Sequence, residues 1–321
     1  MARTDTSFPG RYALRSLDDV SMIDGAWLLL RAAGLVLSLQ AIGATLFTAR
    51  MNRRLDRSTA AVRLSGQHAA LAALAVLAAQ VLIGPVELGG EVTALLDGTE
   101  VHLFLTTSAA AALFTRIAGA ACLVAGLRTR ARAPYPFAVA GSALMIGSFA
   151  LTGHTVAQPY RLPLACLLLV HVTIVAFWFG SLRPLRQVVA LESSAVASAV
   201  LSAFSALAVW LVPVIALAGA AIALLLLPDV AALARPYGLL LLTKIALFAL
   251  LMGIAALNRL RLSPALAAGS GTAPESLRRS IAVEWGLICL VLAVTAVMSG
   301  SLSPEPEHFP QAAVSAASAR A

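Results

Sequence analysis

Apolar stretches of helical length and short polar stretches alternate along the whole chain. The apolar blocks fall at about 26–48, 68–86, 102–126, 135–153, 161–181, 200–227, 237–257 and 281–300. A block of about 20 apolar residues crosses about 30 Å of hydrocarbon as a helix. Polarity does not alternate residue by residue within the blocks, which argues against a β-barrel. The pattern predicts an all-α fold, a polytopic membrane helix bundle of about eight transmembrane helices. A single membrane domain is expected over 26–300, with a periplasmic tail at 1–25 and a disordered periplasmic tail at 301–321. Pro213 is expected to kink the sixth block, since it removes one backbone donor.

The segments between blocks differ sharply in charge. The odd-numbered ones hold Arg50, Arg53, Arg54, Arg57, Arg63, Arg128, Arg130, Arg132, Arg183, Arg186, Arg259, Arg261, Arg278 and Arg279. The even-numbered ones hold only Arg161 and Arg235, and the second of them carries Glu87, Glu91, Asp97 and Glu100. Short basic loops stay in the cytoplasm. The asymmetry therefore predicts a multi-pass protein with cytoplasmic odd loops and both termini outside. The acidic residues, with His102, His154 and His308, then collect on the outer face, where they would attract cations.

Composition agrees with this picture and narrows the chemistry. Hydrophobic residues make up 60% of the 321 and charged residues 12%, against about 25% charged in a soluble domain. The net charge of +8 is spread over short loops with no long basic tract, so no nucleic-acid partner is expected. Cys122, Cys166 and Cys289 all lie inside blocks and give no disulfide framework. The sequence has no CxxC, HExxH, P-loop or GxGxxG in a strand–helix setting, and no enzyme activity is expected.

Ionisable groups inside spans cost at least about 2.5–3.5 kcal/mol near the bilayer centre and are functional candidates by default. Here they are Arg31, Arg116, His171, Lys244 and Glu284, accompanied by Gln40 and Gln80. His171 lies ten residues past Arg161, about 15 Å below the outer surface. Two readings fit it: a metal or haem ligand, or an imidazole bonded to a neighbouring helix that serves packing alone. His154 should sit at the outer mouth, in "LTGHTVAQPY". His102, Thr106 and Arg116 are expected on one stripe of the third span. Arg116 and Glu284 form a candidate pair; the alternative has Arg116 snorkelling inward and Glu284 neutralising the start of its helix. Lys244 and Asn258 share a face. Met145 offers a soft sulfur near the depth of His171, although a lone methionine in a helix is more often packing.

Three segments resemble the CopD family of bacterial inner-membrane copper-resistance proteins. They are "TGHTVAQPYRLPLACLLLVHVTIVAFWFGSLRPL", "YGLLLLTKIALFALLMGIAALNRLRLSPAL" and "LRRSIAVEWGLICLVLAVTAVMSG". The first half is similar mainly in span pattern and in the arginine of the third span. The resemblance places the family's polar positions at His154, His171, Lys244, Asn258, Arg259, Arg279 and Glu284. Ser181 stands where the family often has a second glycine, and the chain has no fused CopC-like copper-binding domain.

The resemblance implies copper handling, with movement of copper across the membrane in copper resistance. Metal ligands would be His154, His171, His102 and Met145. Arg116, Lys244, Asn258 and Glu284 would gate the bundle or hold it together. Copper is the expected ion, with no tightly bound organic cofactor, and a separate periplasmic CopC-like protein is the expected donor. Two alternatives stand beside this: a haem-binding electron-transfer protein, and a non-transporting assembly factor. Haem suits poorly two histidines so different in depth.

Overall fold

The computed structural model describes residues 22–128, 135–152, 161–227 and 230–300, and every element in them is helical. The helices are α1 (Met22–Met51), α2 (Thr59–Gly89), α3 (Gly98–Leu105), α4 (Ser108–Arg128), α5 (Tyr135–Gly147), α6 (Arg161–Leu191), α7 (Ser194–Leu226), α8 (Pro236–Leu257), α9 (Ser263–Ala267) and α10 (Ala273–Gly300). Seven are long and apolar enough to cross a membrane: α1, α2, α4, α6, α7, α8 with its continuation to Ala267, and α10. The eighth expected span is a shorter apolar helix, Pro136–Leu151, whose last turn tightens to 3-10 geometry over Ser148–Leu151. His154 and the two expected tails, apart from residues 22–25, lie outside the described residues.

Three expectations need correction. The third block is not one helix. The chain breaks at Thr106 and Thr107, whose hydroxyls bond back to the carbonyls of Leu103 and Phe104. Such back-bonding competes with helix propagation. The Thr107 hydroxyl also accepts from the Ala110 amide at the start of α4. The stripe joining His102, Thr106 and Arg116 therefore does not exist. Secondly, Arg183 and Arg186 belong to α6, which runs on to Leu191 instead of ending in a loop. Thirdly, α10 starts at Ala273, so Glu284 sits three turns along it and does not neutralise its N-terminus.

Hydrogen bonds between chain-distant residues show which connections share a side. Arg63 near the start of α2 donates to the Leu127 carbonyl at the end of α4. Glu192, just past α6, accepts from residues 56–58 ahead of α2. The arginine-rich connections thus gather on one face of the bundle. On the opposite face, Arg31 of α1 donates to the Ser299 carbonyl and hydroxyl at the end of α10.

Helix α1 is central and packs on α2, α6 and α10. Its crossing with α6 brings backbones together at Gly43 and Gly180. A Cβ on Gly43 would fall 1.8 Å from the Ala176 carbonyl oxygen, and one on Gly180 would fall 2.4 Å from the Gly43 Cα. Small residues permit this approach, which supplies much of helix association where lipid competes equally for apolar surface. The second close crossing joins α4 and α5 at Gly119 and Gly141. Helices α7 and α8 lie at the periphery. Helix α7 packs on α6 and α9, and α8 on α10, but the two share no substantial contact although they follow each other in sequence. Trp210, Leu217 and Leu224 of α7 and Leu239 and Ile245 of α8 face outward, as lipid contact requires.

Glu192 forms a joint on the arginine-rich face. Its carboxylate accepts from the Asp56, Arg57 and Ser58 amides at 2.9, 3.2 and 2.9 Å and from the Ser58 hydroxyl at 2.6 Å. Desolvation works against the charge, but the Ser58 hydroxyl and the three amides outweigh it and hold the carboxyl at about 2. These amides precede α2, so the carboxylate also meets the positive end of that helix.

Two outcomes follow. Gly43→Ala should cost about 3 kcal/mol or more, the upper end of overpacking, and lower the melting temperature in detergent. Gly253→Ala, with open space around its Cβ position, should not. A carboxyl held below its unfolded value contributes stability above that value and loses it as pH falls through the folded one. Glu192→Gln should therefore lower the melting temperature at neutral pH, and the gap to wild type should close between about pH 4.5 and about pH 2. Melting curves of both proteins across that range check it.

Candidate functional site

Polar side chains inside the bundle form three groups. The first joins α1, α6 and α10. Pro184 has no N–H, so the Gly180 carbonyl four residues earlier loses its helical partner. Gln40 of α1 supplies the missing donor: its Nε2 bonds the Gly180 oxygen at 3.0 Å. The amide oxygen of Gln40 accepts from Trp285 Nε1 at 2.8 Å. The Trp285 ring stacks on Phe179 with centroids 5.9 Å apart, and the Arg183 guanidinium lies 5.1 Å from its centre. Gln40 was noticeable in the sequence as a polar residue in a span, but its task was not. Pro184 is the signal that pointed to it.

The second group adjoins the first. Asn258 closes α8 and opens a π-helical turn, Asn258–Leu262, a geometry frequent at functional sites. Its Nδ2 donates to Glu284 Oε1. The Trp178 side chain of α6 also donates to Glu284. Glu284 and Asn258 are buried, 4% and 8% exposed, and Asn258 Oδ1 has no partner. Lys244 is fourteen residues before Asn258, about 21 Å away along α8.

The third group surrounds His171. The ring is directed at α7, where it reaches the Ile215 backbone. A Cβ on Gly219 would lie 3.3 Å from its Cε1 and 3.5 Å from its Nδ1. Nδ1 is buried and has no hydrogen-bond partner. Lys244 of α8 is near enough to act on the ring electrostatically. His171 thus faces α7 at Gly219, within electrostatic reach of Lys244 of α8. Trp178, two turns further along α6, reaches Glu284 of α10.

The other expected residues are placed elsewhere. Arg116 does not meet Glu284. Its Nε donates to the Ser148 hydroxyl at 2.7 Å, and its guanidinium lies 4.2 Å from the centre of the Phe149 ring. With α4 starting at Ser108, Arg116 is about 12 Å along that helix and turns to the 3-10 turn that follows α5. His102 is exposed on α3, which packs on α2 and α4. Met145 is fully buried and lies against Gly119 of α4. Among the described residues, no three His, Cys, Asp or Glu side chains form a metal-holding cluster.

The arrangement therefore offers one imidazole with a buried, unpartnered Nδ1 beside α7 and one buried carboxylate–amide pair joining α8 and α10. An unprotonated imidazole nitrogen without a donor is what a borderline or soft metal ion needs. The oxygens of the second group suit a proton or a hard cation instead.

Comparison with known proteins agrees with this setting. Residues 198–298 match the family model described as copper resistance protein D, and residues 22–159 match that of the copper resistance protein D-like N-terminal domain. Together the two matches cover most of the chain, which belongs to the CopD family of membrane copper-resistance proteins. No curated protein and no solved structure matches it.

Gln40→Leu should leave the Gly180 carbonyl and the Trp285 indole N–H without partners, at about 1–3 kcal/mol for each buried group. A lowered melting temperature and a changed tryptophan emission spectrum would show it.

Proposed function

We propose that this CopD-family protein moves copper across the bacterial inner membrane and that His171 is the ligand the ion meets inside the bilayer. The observation that carries the reading is the free, buried Nδ1 of His171, facing α7 beside Gly219. A buried polar atom is ordinarily paired, and a persistent exception calls for a use. Copper bonding to that nitrogen satisfies it. Few ligands close by suits a relay site, because an ion held by many donors would leave slowly.

Capture begins on the outer face. Glu87, Glu91, Asp97 and Glu100 raise the local cation concentration there. His102 on α3 and His154 ahead of α6 are the nitrogen donors of that face, and a separate periplasmic CopC-like protein delivers the ion. Met145 is not part of the path, because its side chain fills the α4–α5 crossing. Arg116 and Lys244 keep positive charge beside the route, while Asn258 and Glu284 lie past it toward the cytoplasm. The chain has no nucleotide-binding motif, so copper follows a gradient or exchanges with another ion.

Elemental analysis and visible spectra of the purified protein, with copper flux into proteoliposomes, test the reading. Wild type should retain copper, show no Soret band and move the ion. His171→Ala should express and elute normally while losing at least about tenfold in flux, the scale on which removal of one contact of a metal site is felt. Met145→Leu should stay within about twofold, as a volume-conserving core change. A Soret band would make the protein a haem carrier, and flux unchanged by His171→Ala would reduce His171 to packing.

A further inference from the structure

Glu284 presents a charge problem that the copper route does not solve. It is 4% exposed and three helical turns from the start of α10. It receives hydrogen bonds from Asn258 and Trp178, both neutral. Among the described residues, no charged group on the helices packed around it bonds to Glu284; Arg278 of α10, half-buried with an unpartnered Nε, lies six residues before it and about 120° round the helix. On α6, Arg183 lies over the Trp285 ring. In the π-helical turn, Arg259 donates to the Ser205 carbonyl of α7. On α10 itself, Arg279 and Glu275 are exposed. On α8, Lys244 is near His171. Helix α1 presents Gln40, already bonded at both ends. No Lys, Arg or His forms an ion pair with Glu284 among the described residues.

An ionised carboxylate left without a cation in a membrane interior costs several kcal/mol, and protonation removes that charge. Asn258 adds a second, independent sign. It is nine-tenths buried, and its Oδ1 faces the same site with nothing bonded to it. An amide rotation exchanges its donor for an acceptor, so Asn258 can accept from a carboxylic acid as readily as it donates to a carboxylate.

The site also has an approach. A cleft of about 530 Å³ opens on the arginine-rich face between α8, the π-helical turn and α10. Its walls include Leu257 and Val283, the sequence neighbours of Asn258 and Glu284, together with polar Thr272, Glu275, Ser280 and Arg279.

We propose that Glu284 and Asn258 form a proton-binding site inside the membrane, loaded and emptied from the cytoplasmic side through this cleft. Glu284 holds the proton on one carboxyl oxygen, and Asn258 turns its amide to match the protonation state. The proposal goes beyond the copper reading and does not depend on it, because the site and its test need no metal. If both hold, the proton is the ion that copper movement exchanges with.

Infrared difference spectra of the metal-free, full-length protein in nanodiscs test it. A protonated carboxylic acid has a C=O band distinct from that of a carboxylate, and deuteration shifts it. Wild type should show such a band that moves in D2O and fades as pH rises from about 5 to about 9, the range open to a buried carboxyl. Glu284→Gln should remove the band, and Asn258→Leu should shift it while leaving it present. Ser280→Trp should slow the deuterium shift by at least about tenfold, having filled the cleft. Should Glu284→Gln fail to fold, the pH course of the wild-type band and its shift in Asn258→Leu decide the matter. The absence of any such band, a band that neither exchanges nor titrates, or a band suppressed by sodium at constant pH would each overturn the proposal.

Discussion

The backbone contact between α1 and α6 at Gly43 and Gly180 governs where everything else can sit. No side chain fits between the two helices there. Burial of apolar area gives little net drive for association in lipid, so such close approach and the few polar bonds across it carry unusual weight. The crossing has its own polar seal. Pro184 strips the Gly180 carbonyl of its helical donor, and Gln40 restores one from the neighbouring helix. The same glutamine receives the Trp285 indole and so fixes α10 against both.

With α6 pinned in this way, its two sides face different neighbours. His171 is turned toward α7, and two turns further on Trp178 reaches Glu284 of α10. Helices α7 and α8 are each held by a different partner, α7 by α6 and α8 by α10. Helix α7 is rooted on the arginine-rich face, close to where the Glu192 carboxylate ties the end of α6 to the turn ahead of α2. Two chemically distinct places result: a bare nitrogen suited to a soft metal, and an oxygen pair suited to a proton.

Much of this was legible in the chain. Span-length apolar blocks predict the all-α membrane bundle, because bilayer thickness sets their length, although seven helices reach that length where eight were expected. The cost of burying ionisable groups singles out His171, Lys244 and Glu284 from the sequence alone. Contacts between distant helices were not legible. One continuous third span would put Arg116 at the depth of Glu284; the threonine pair at 106–107 breaks that span, and Arg116 bonds Ser148 instead. Met145 had the right depth but the wrong direction, since depth along a helix does not give the side it faces. Gly219 and Glu192 carried no signal at all, for one acts by having no side chain and the other by meeting three amides far away in sequence.

X-ray absorption at the copper edge, measured on protein loaded with a single equivalent of copper, tests the central claim most directly. The account predicts nitrogen scattering with the outer-shell pattern of imidazole, lost in His171→Ala although the variant remains folded. Copper ligated without imidazole, or an unchanged spectrum in that variant, would contradict it.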